Sequence, residues 1–347
     1  MTARPCPVII DTDIGDDIDD ALALALAVHS PEIALVGVTT VYQCAALRAR
    51  LVRHLLSAYG RADVPVVAGV DRPLLGARRL DWWPHQAAVL GLHPPAGTAD
   101  DASEPQAPLR AAAGLARSRP QGSGMEACGR GDGEGALGEG PAAGEGAVGF
   151  IIREGMRREG LVLLTIGAMT NAALALACEP RLASRLRVVA MAGAFDRQGV
   201  EYNVACDPEA VACVLAAGAR VAFVGLDVTM QTAMRATDVA RLLQAPGEPE
   251  AALAGFLRAW QGFVGPGAPH TPVLHDPLAV AAVFRPEWLR WREARVAVEL
   301  AAPNLRGQTY QVPGSSNALV AHAVDAGFSA WCGDRLLSDH GAGTSTR

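Results

Sequence analysis

The sequence contains no lysine, and all 30 of its basic residues are arginines. This absence excludes mechanisms that depend on a lysine side chain, including Schiff-base chemistry, pyridoxal-phosphate chemistry and the Walker A phosphate loop. The arginines are outnumbered by 36 Asp and Glu residues, which gives a formal net charge of −6. Because nucleic acids and anionic membranes attract basic surfaces, this balance argues against both as partners.

Long apolar runs and closely spaced cysteines are also missing. No stretch of about 18 uninterrupted apolar residues occurs, so no transmembrane span is predicted. The N-terminus shows no signal-peptide pattern. The seven cysteines are scattered and include no Cys-x-x-Cys pair, which indicates reduced thiols and neither a disulfide framework nor a zinc site. We therefore expect a cytoplasmic protein.

Apolar, β-branched runs alternate with helical patterns along most of the chain. Strands are predicted at residues 8–10, 33–40, 64–68, 161–166, 187–191 and 221–228, and helices at 20–29, 45–59, 171–177, 208–217 and 237–243. Strands that are hydrophobic throughout predict an α/β fold with a Rossmann-like, mostly parallel central sheet and helices on both faces.

We expect one domain over residues 1–347, because the same pattern resumes after its one interruption. That interruption, residues 98–149, is rich in Gly and Pro and is predicted to be a mobile, low-complexity insertion. Further strands at 295–300 and 309–312 and a helix at 318–331 are expected to complete the domain.

The most informative segment is residues 11–20, where six aspartates follow the apolar run 8–10. Packing carboxylates this closely is costly unless a cation compensates their charge. A hard divalent metal with oxygen ligands is the natural compensator, and the following helix directs its positive N-terminal end to the same place. One or two aspartates could simply cap that helix. Because capping does not account for six, we predict a metal site at the carboxyl end of the first strand.

The segment 11–21 resembles the D-x-D-x-G-x-D-D-A signature of the inosine-uridine nucleoside hydrolases. Further segments match that family in the same order: 166–171 resembles G-P-L-T-N, 191–195 resembles M-G-G, 201–203 with 207–210 resembles E-F-N and D-P-E-A, and 275–277 resembles H-D-P. The first motif is two residues longer here, between Gly15 and the paired aspartates. We place that pair at Asp19 and Asp20, because these residues run directly into Ala21 and the helix. The roles of Asp16 and Asp17 stay open.

The resemblance implies hydrolysis of the N-glycosidic bond of ribonucleosides, with a calcium ion as cofactor. The implied calcium ligands are Asp13, Asp20, Asp276 and the backbone carbonyl of Ile166. Asp13 would also be the general base that activates water together with the metal, and His275 would donate a proton to the leaving base. Implied substrate-binding residues are Asp19, Glu201, Asn203, Asp276 and His85. The resemblance further implies a homodimer or homotetramer, with a nucleoside as the small-molecule partner.

This chemistry is coherent in physical terms. Cleavage of an N-glycosidic bond passes through an oxocarbenium-like ribosyl group, which carboxylates stabilise. A metal and one carboxylate can lower the pKa of the attacking water and fix its position. The leaving base needs a proton or a hydrogen bond, which an acid on its side supplies. Whether purines or pyrimidines are preferred stays open at this point.

One departure from the family pattern supports an alternative function. Cys44 stands where the family commonly has an Asn or Asp that contacts ribose, and a thiol is a poor substitute in hydrogen bonding. Gln43 could compensate in part. The alternative is therefore a degenerate homologue that binds a nucleoside or a ribose-like ligand with little turnover. A third hypothesis is a metal-dependent phosphatase whose sequence begins with D-x-D. The absence of lysine and the presence of Gly15 disfavour it.

Overall fold

The first strand sets up the two faces of the fold by the alternation of its side chains. In the computed structural model, which describes residues 4–76, 83–94, 145–265 and 270–338, Val8 and Ile10 enter one hydrophobic cluster and Ile9 enters another. Successive side chains of a strand point to opposite faces of its sheet. A strand that is apolar on both faces must therefore be covered on both sides, as the hydrophobic pattern predicts.

Eight strands form the central sheet in the order β3-β2-β1-β4-β5-β6-β10-β7, and all neighbours are parallel except β10 and β7. A separate antiparallel pair is formed by β8 and β9. The strands are β1 (Cys6–Thr12), β2 (Ile33–Thr40), β3 (Val66–Ala68), β4 (Val162–Thr165), β5 (Arg187–Ala190), β6 (Arg220–Phe223), β7 (Leu289–Ala294), β8 (Val296–Val298), β9 (Thr309–Gln311) and β10 (Ala318–Val324).

Helices cover both faces of this sheet. They are α1 (Asp19–Val28), α2 (Ala45–Ala58), α3 (Ala147–Arg157), α4 (Thr170–Cys178), α5 (Tyr202–Cys206), α6 (Pro208–Ala216), α7 (Leu226–Thr229), α8 (Ala236–Leu243), α9 (Glu250–Val264), α10 (His275–Phe284) and α11 (Phe328–Leu336). Short 3₁₀ helices span His85–Leu90, Pro180–Ser184 and Pro286–Trp288. The cluster on one face includes residues of α1, α2, α8, α9, α10 and α11, and the cluster on the other face includes residues of α3, α4 and α6.

The direction of strand addition reverses beside β1. The chain first builds β2 and β3 on one side of β1 and then returns to place β4 on the other side. In open parallel sheets, ligands bind beyond the carboxyl ends of the strands at such a reversal. The topology therefore directs attention to the residues that follow β1 and β4.

Two details of the predicted secondary structure are wrong. Residues 318–331 were expected to be one helix, but Ala318–Val324 is a strand that pairs with β6 and β7, and the helix α11 begins at Phe328. The predicted strand 221–228 ends at Phe223, and Leu226–Thr229 is a short helix. Both segments are mostly apolar, so sheet pairing and not local periodicity decides their conformation.

Of the predicted insertion 98–149, residues 98–144 lie outside the described residues. Its last three residues, 147–149, form the start of α3. Within the described ranges, every helix is too short or too polar to span a bilayer.

Candidate active site

Carboxylates from two parts of the chain meet beyond the end of β1. Asp13 follows β1, Asp19 and Asp20 form the first turn of α1, and Asp276 lies in the first turn of α10. All four side chains are buried. One oxygen each from Asp19, Asp20 and Asp276 lies within 4.8 Å of the others. Two helices therefore direct their positive ends, each carrying acidic residues, at one point.

Hydrogen bonds hold these carboxylates in place. The Thr12 hydroxyl donates to Asp20 Oδ1 over 2.5 Å and accepts from the Ile14 backbone N–H at 3.0 Å. The backbone N–H of Asp276 donates to the Asp19 carboxylate, which ties α10 to α1. The cluster is thus preorganised by the backbone around it.

The electrostatics of the cluster call for a counter-charge. Burial, followed by the repulsion of neighbouring carboxylates, raises the pKa values of Asp19, Asp20 and Asp276 well above the ordinary range. Raised values mean that ionised carboxylates are unstable here without a cation. Several hard oxygen donors at short mutual distances are the donor set that Ca²⁺ or Mg²⁺ takes. The residues present therefore fit a divalent cation.

The cluster forms part of the wall of a cavity that is partly open to solvent. Its lining comprises Asp13, Asp16, Asp17, Asp19, Asp20, Ile166, Met191, Glu201, Tyr202, Asn203, Leu226, His275 and Asp276. Seven of these thirteen residues are acidic, and every site residue expected from the sequence is present except His85.

The segment after β4 brings the Ile166 carbonyl to this wall. Asn203 Nδ2 donates to the Ile166 carbonyl at 3.1 Å and to the Met191 carbonyl at 2.9 Å. The residue after Ile166 must be a glycine, because a Cβ atom on Gly167 would lie 2.8 Å from Asp13 Oδ1. Close contact between the ends of β1 and β4 therefore places Asp13 beside the Ile166 carbonyl.

Glu201 fixes the geometry of the neighbouring segment. Its carboxylate accepts the backbone N–H groups of Asn203 at 2.8 Å and Val204 at 3.0 Å, and so caps α5. It also accepts the Gly193 N–H at 3.1 Å. Glu201 therefore combines a structural role with a place in the cavity wall.

His275 lies at the start of α10 and also lines the cavity. Its Nδ1 lies 2.7 Å from the hydroxyl of Thr229 in α7. Burial, assisted by the charge of Arg197, lowers the pKa of His275 to about 4. The imidazole is therefore neutral at pH 7, and it can act on a ligand as a hydrogen-bond donor or acceptor.

Comparison with known proteins identifies the family of this chain. The profile of the inosine-uridine preferring nucleoside hydrolases matches residues 8–329. The chain belongs to that family. It is 32% identical over 307 residues to an uncharacterized protein of Schizosaccharomyces pombe, with 84% of each chain covered. It is 30% identical over 353 residues to the pyrimidine-specific ribonucleoside hydrolase RihA of Salmonella gallinarum, covering 95% of this chain and 98% of the relative.

The fold is shared with solved nucleoside hydrolase structures. Superposition on a plant nucleoside hydrolase, PpNRh1, gives a TM-score of 0.74 at 22% identity, with 96% of this chain and 100% of the other covered. Family membership makes this chain an enzyme, a hydrolase of ribonucleoside N-glycosyl bonds. The family is one of metal-dependent hydrolases, and the acidic cluster is where this chain could hold the metal.

The positions of Asp19 and Asp13 differ from the metal-binding and sugar-binding roles that the resemblance implies. The oxygens that meet most closely include Asp19, which was expected to bind ribose, and they do not include Asp13. The reason is local, since Asp19 and Asp20 are adjacent in the first turn of α1 and the Asp276 N–H draws the Asp19 carboxylate inward. Asp19 is thus a further candidate metal ligand.

His85 lies outside the cavity wall. Its ring stacks on Phe263 of α9, with centroids 3.9 Å apart and planes inclined by 6°. Burial lowers the pKa of His85 to about 4, which leaves the ring neutral. His85 therefore packs against Phe263, and its contact with substrate stays a prediction.

Cys44 and Gln43 are also absent from the cavity wall that the described residues form. Tyr42, Gln43 and Cys44 have φ values of 59°, 33° and 60°, a left-handed turn that leads into α2. The backbone N–H groups of Tyr42 and Gln43 donate to the carbonyls of Val70 and Asp71. Cys44 therefore does not line the described cavity, and its effect on ribose binding stays a prediction.

Sequence reasoning missed two buried polar side chains beneath the site. Arg48 is fully buried in α2 and pairs with Asp16 at 2.8 Å. Asn171, in the first turn of α4, donates to Asp11 Oδ1 at 2.8 Å and to the Thr40 carbonyl at 3.1 Å, and accepts the Val70 N–H. It thereby joins the start of α4 to the ends of β1 and β2 and to the segment after β3. A helical pattern shows that Arg48 belongs to a helix, but not that this arginine among several is the buried one.

Proposed function

We propose that this protein is a calcium-dependent ribonucleoside hydrolase that converts a nucleoside and water to ribose and a free base. The observation that carries the proposal is the buried group of oxygens from Asp19, Asp20 and Asp276, with Asp13 beside it in the same cavity. A hard cation is the partner that such a group requires. The curated relative that acts on pyrimidine ribonucleosides supports a nucleoside substrate.

The residues that would hold the calcium ion are Asp13, Asp20, Asp276 and the Ile166 carbonyl, and the structure adds Asp19 as a candidate. When bound, the cation would supply Lewis acidity toward water and would bind vicinal ribose hydroxyls. The Ile166 carbonyl oxygen keeps one lone pair for the cation, because the Asn203 amide donates to the other.

Asp13 is the proposed general base. The bond from C1′ to the base nitrogen breaks, a bond from C1′ to the water oxygen forms, and the carboxylate of Asp13 takes a proton from that water. Asp13 then releases this proton and the departed base takes one up, so that the products are ribose and the neutral base. Burial raises the pKa of Asp13 and the nearby Arg48 opposes the rise. A carboxylate with a raised pKa is a stronger base than an ordinary one, which suits proton abstraction near neutral pH.

The carboxylates of the cavity are buried and partly hydrogen-bonded, and they stabilise the positive charge that develops on the ribosyl group. Glu201 and Asp19 are fixed by backbone N–H donors, so they need little reorganisation when that charge appears. Asn203 is held by two carbonyls and is proposed, with Glu201 and Asp19, to contact the ribose.

The experiment that tests this proposal is reducing-sugar release from uridine, cytidine, inosine and adenosine, with calcium and with a chelator. We expect release with calcium and loss of release with the chelator, and the panel identifies the preferred base. No release from any nucleoside by protein shown to contain calcium would refute the proposal. Nucleoside binding by calorimetry under those conditions would then indicate a binding protein.

His275 is proposed to donate a hydrogen bond to the leaving base, with Thr229 setting its tautomer. Thr229 is fully buried, and in the described part of the chain its hydroxyl has one partner, His275 Nδ1. Donation from this hydroxyl to Nδ1 satisfies both groups, whereas the reverse leaves a buried hydroxyl proton without an acceptor. The ring proton is therefore on Nε2, which is the nitrogen available to the base.

We expect Thr229→Val to lower kcat for a nucleoside by roughly 10- to 100-fold, and Thr229→Ser to restore most of it. The same Val variant should hydrolyse a p-nitrophenyl riboside at nearly the wild-type rate, because that leaving group needs no proton. Steady-state kinetics with both substrates measure the difference. An equal loss with both substrates would show that Thr229 acts on the fold alone.

A further inference from the structure

Arg48 is a buried cation beneath the active site, and it has no role in the scheme above. Its side chain is fully buried and pairs with Asp16 over 2.8 Å. Arg48 Nη1 donates to the carbonyls of Asp13 and Ile14, the second at 3.0 Å. Taking a guanidinium out of water is costly unless its donors find acceptors. A carboxylate and two carbonyls of the loop 13–16, which follows β1, are acceptors for this one.

The Ile14 peptide links Arg48 to a further carboxylate of the site. Its carbonyl accepts from Arg48, and its N–H donates to the Thr12 hydroxyl at 3.0 Å. That hydroxyl in turn donates to Asp20 Oδ1. A displaced guanidinium would therefore disturb the Asp13 backbone directly and the Asp20 carboxylate through Ile14 and Thr12.

The other side of the guanidinium is held by a strained turn. Tyr42, Gln43 and Cys44 have φ values of 59°, 33° and 60°, in the left-handed region that side chains disfavour. This turn presents the carbonyls of Tyr42 and Gln43 to Arg48 Nε, at 2.9 and 2.8 Å. The backbone N–H groups of the same two residues donate to carbonyls of the segment after β3, at 2.7 and 3.0 Å. The segment after β3 therefore fixes the turn, and the turn fixes Arg48.

A purely structural connection could be made with less strain and less buried charge. Glycine adopts positive φ without a steric penalty, and an apolar side chain fills a buried site without desolvating a charge. Strained backbone that persists beside a site is typical of functional positioning. The contacts have the matching direction, because they run from the segment after β3 through the turn and Arg48 to the loop that carries Asp13.

We infer that Arg48 and the left-handed turn 42–44 form a positioning unit for the cation, which holds the loop 13–16 so that Asp13 and Asp20 keep the geometry that calcium requires. This inference rests on the proposed function. Arg48 has two opposing effects on calcium affinity. Its charge repels a nearby cation and weakens binding, whereas ligands that are held in place strengthen binding. Positioning is the larger effect.

Isothermal titration of calcium into Arg48 variants separates the two effects. Arg48→Lys keeps the positive charge but loses the planar fork that reaches the loop and the turn. Arg48→Met removes the charge as well. We expect the Kd for calcium to rise roughly 10- to 100-fold in both variants. Charge repulsion alone would leave Kd unchanged in Arg48→Lys and lower it in Arg48→Met, and that pattern would overturn the inference.

Two substitutions of Gln43 test the turn while Arg48 stays in place, and they serve if the Arg48 variants fail to fold. In Gln43→Gly the backbone keeps its positive φ without strain, so the carbonyl still faces Arg48. In Gln43→Val a β-branched side chain opposes this conformation. Both variants lose the same amide. We expect the Kd for calcium to be roughly tenfold higher in Gln43→Val than in Gln43→Gly. Equal values would overturn the inference.

Gly218→Val is the matched control for strain. Gly218 has a φ of 74°, and a Cβ added there would meet no atom of the described residues within 4 Å. It lies just before β6, at the edge of the sheet opposite the site. This variant should lower the melting temperature of the calcium-free protein and leave the Kd for calcium unchanged. A rise in Kd as large as that of Gln43→Val would show that affinity follows general stability, and would overturn the inference.

The calcium titrations and the sugar-release assay can fail separately. A wild type that bound calcium but hydrolysed no nucleoside would refute the proposed function, while the Kd comparisons still decided the role of Arg48. A wild type that hydrolysed nucleosides, with variants that bound calcium equally well, would overturn the positioning unit alone.

Discussion

Asp13→Asn is expected to lower kcat for the preferred nucleoside by at least about 10³-fold, since it removes the general base and leaves the shape of the site unchanged. The asparagine retains the backbone carbonyl that Arg48 contacts, so the loop after β1 should keep its conformation. Loss of a buried carboxylate also removes charge that stabilises the oxocarbenium-like ribosyl group. Single-turnover kinetics with calcium-loaded protein separate this effect on chemistry from any effect on substrate binding.

Two controls make the Asp13 result specific. Asp63→Asn makes the same chemical change on the surface and should leave kcat unchanged. The melting temperature of Asp13→Asn in chelator should not fall, because without the cation an amide removes one member of a mutually repelling group. Activity within tenfold of the wild type would contradict the assignment of Asp13 as the base.

The central sheet could be predicted from the sequence because its strands are apolar on both faces. Residues 33–40 and 187–191 have no helical periodicity, and they form β2 and β5. Residues 318–324 have the same apolar character, yet they were assigned to a helix. Short apolar segments do not distinguish the two conformations, and pairing with β6 and β7 decides this one.

The carboxylates of the site could be predicted because a structural role such as helix capping does not account for so many of them. Six aspartates after a buried strand require a cation, and the structure brings Asp19 and Asp20 to the Asp276 carboxylate across about 256 residues of chain. Arg48 could not be predicted in the same way. Its partners are mostly backbone carbonyls, which every residue carries, so the sequence holds no signal for them.

Calcium removal is expected to abolish nucleoside hydrolysis, with a loss of at least about 100-fold, and to destabilise the fold. Calcium at about 100 times its dissociation constant would stabilise the folded state by about 2.7 kcal/mol. This corresponds to a rise in melting temperature of roughly 4 °C in a chain of this size. Differential scanning fluorimetry of chelator-treated and calcium-loaded protein measures this rise in melting temperature. The rise should be smaller in Asp20→Asn and unchanged in Asp63→Asn.

The rise in melting temperature that calcium causes should change with pH in a definite direction. Burial raises the pKa of Asp11 from 3.8 to about 7, and burial with mutual repulsion also raises the pKa values of Asp19, Asp20 and Asp276. Between about pH 4 and 7 the calcium-free folded state therefore holds protons that the unfolded chain has released, so its stability falls as pH rises through this window. Calcium favours the ionised carboxylates and opposes this fall. The melting-temperature difference between loaded and calcium-free protein should thus be larger at pH 8 than at pH 5.5, and a difference that shrinks with rising pH would argue against a carboxylate-bound cation.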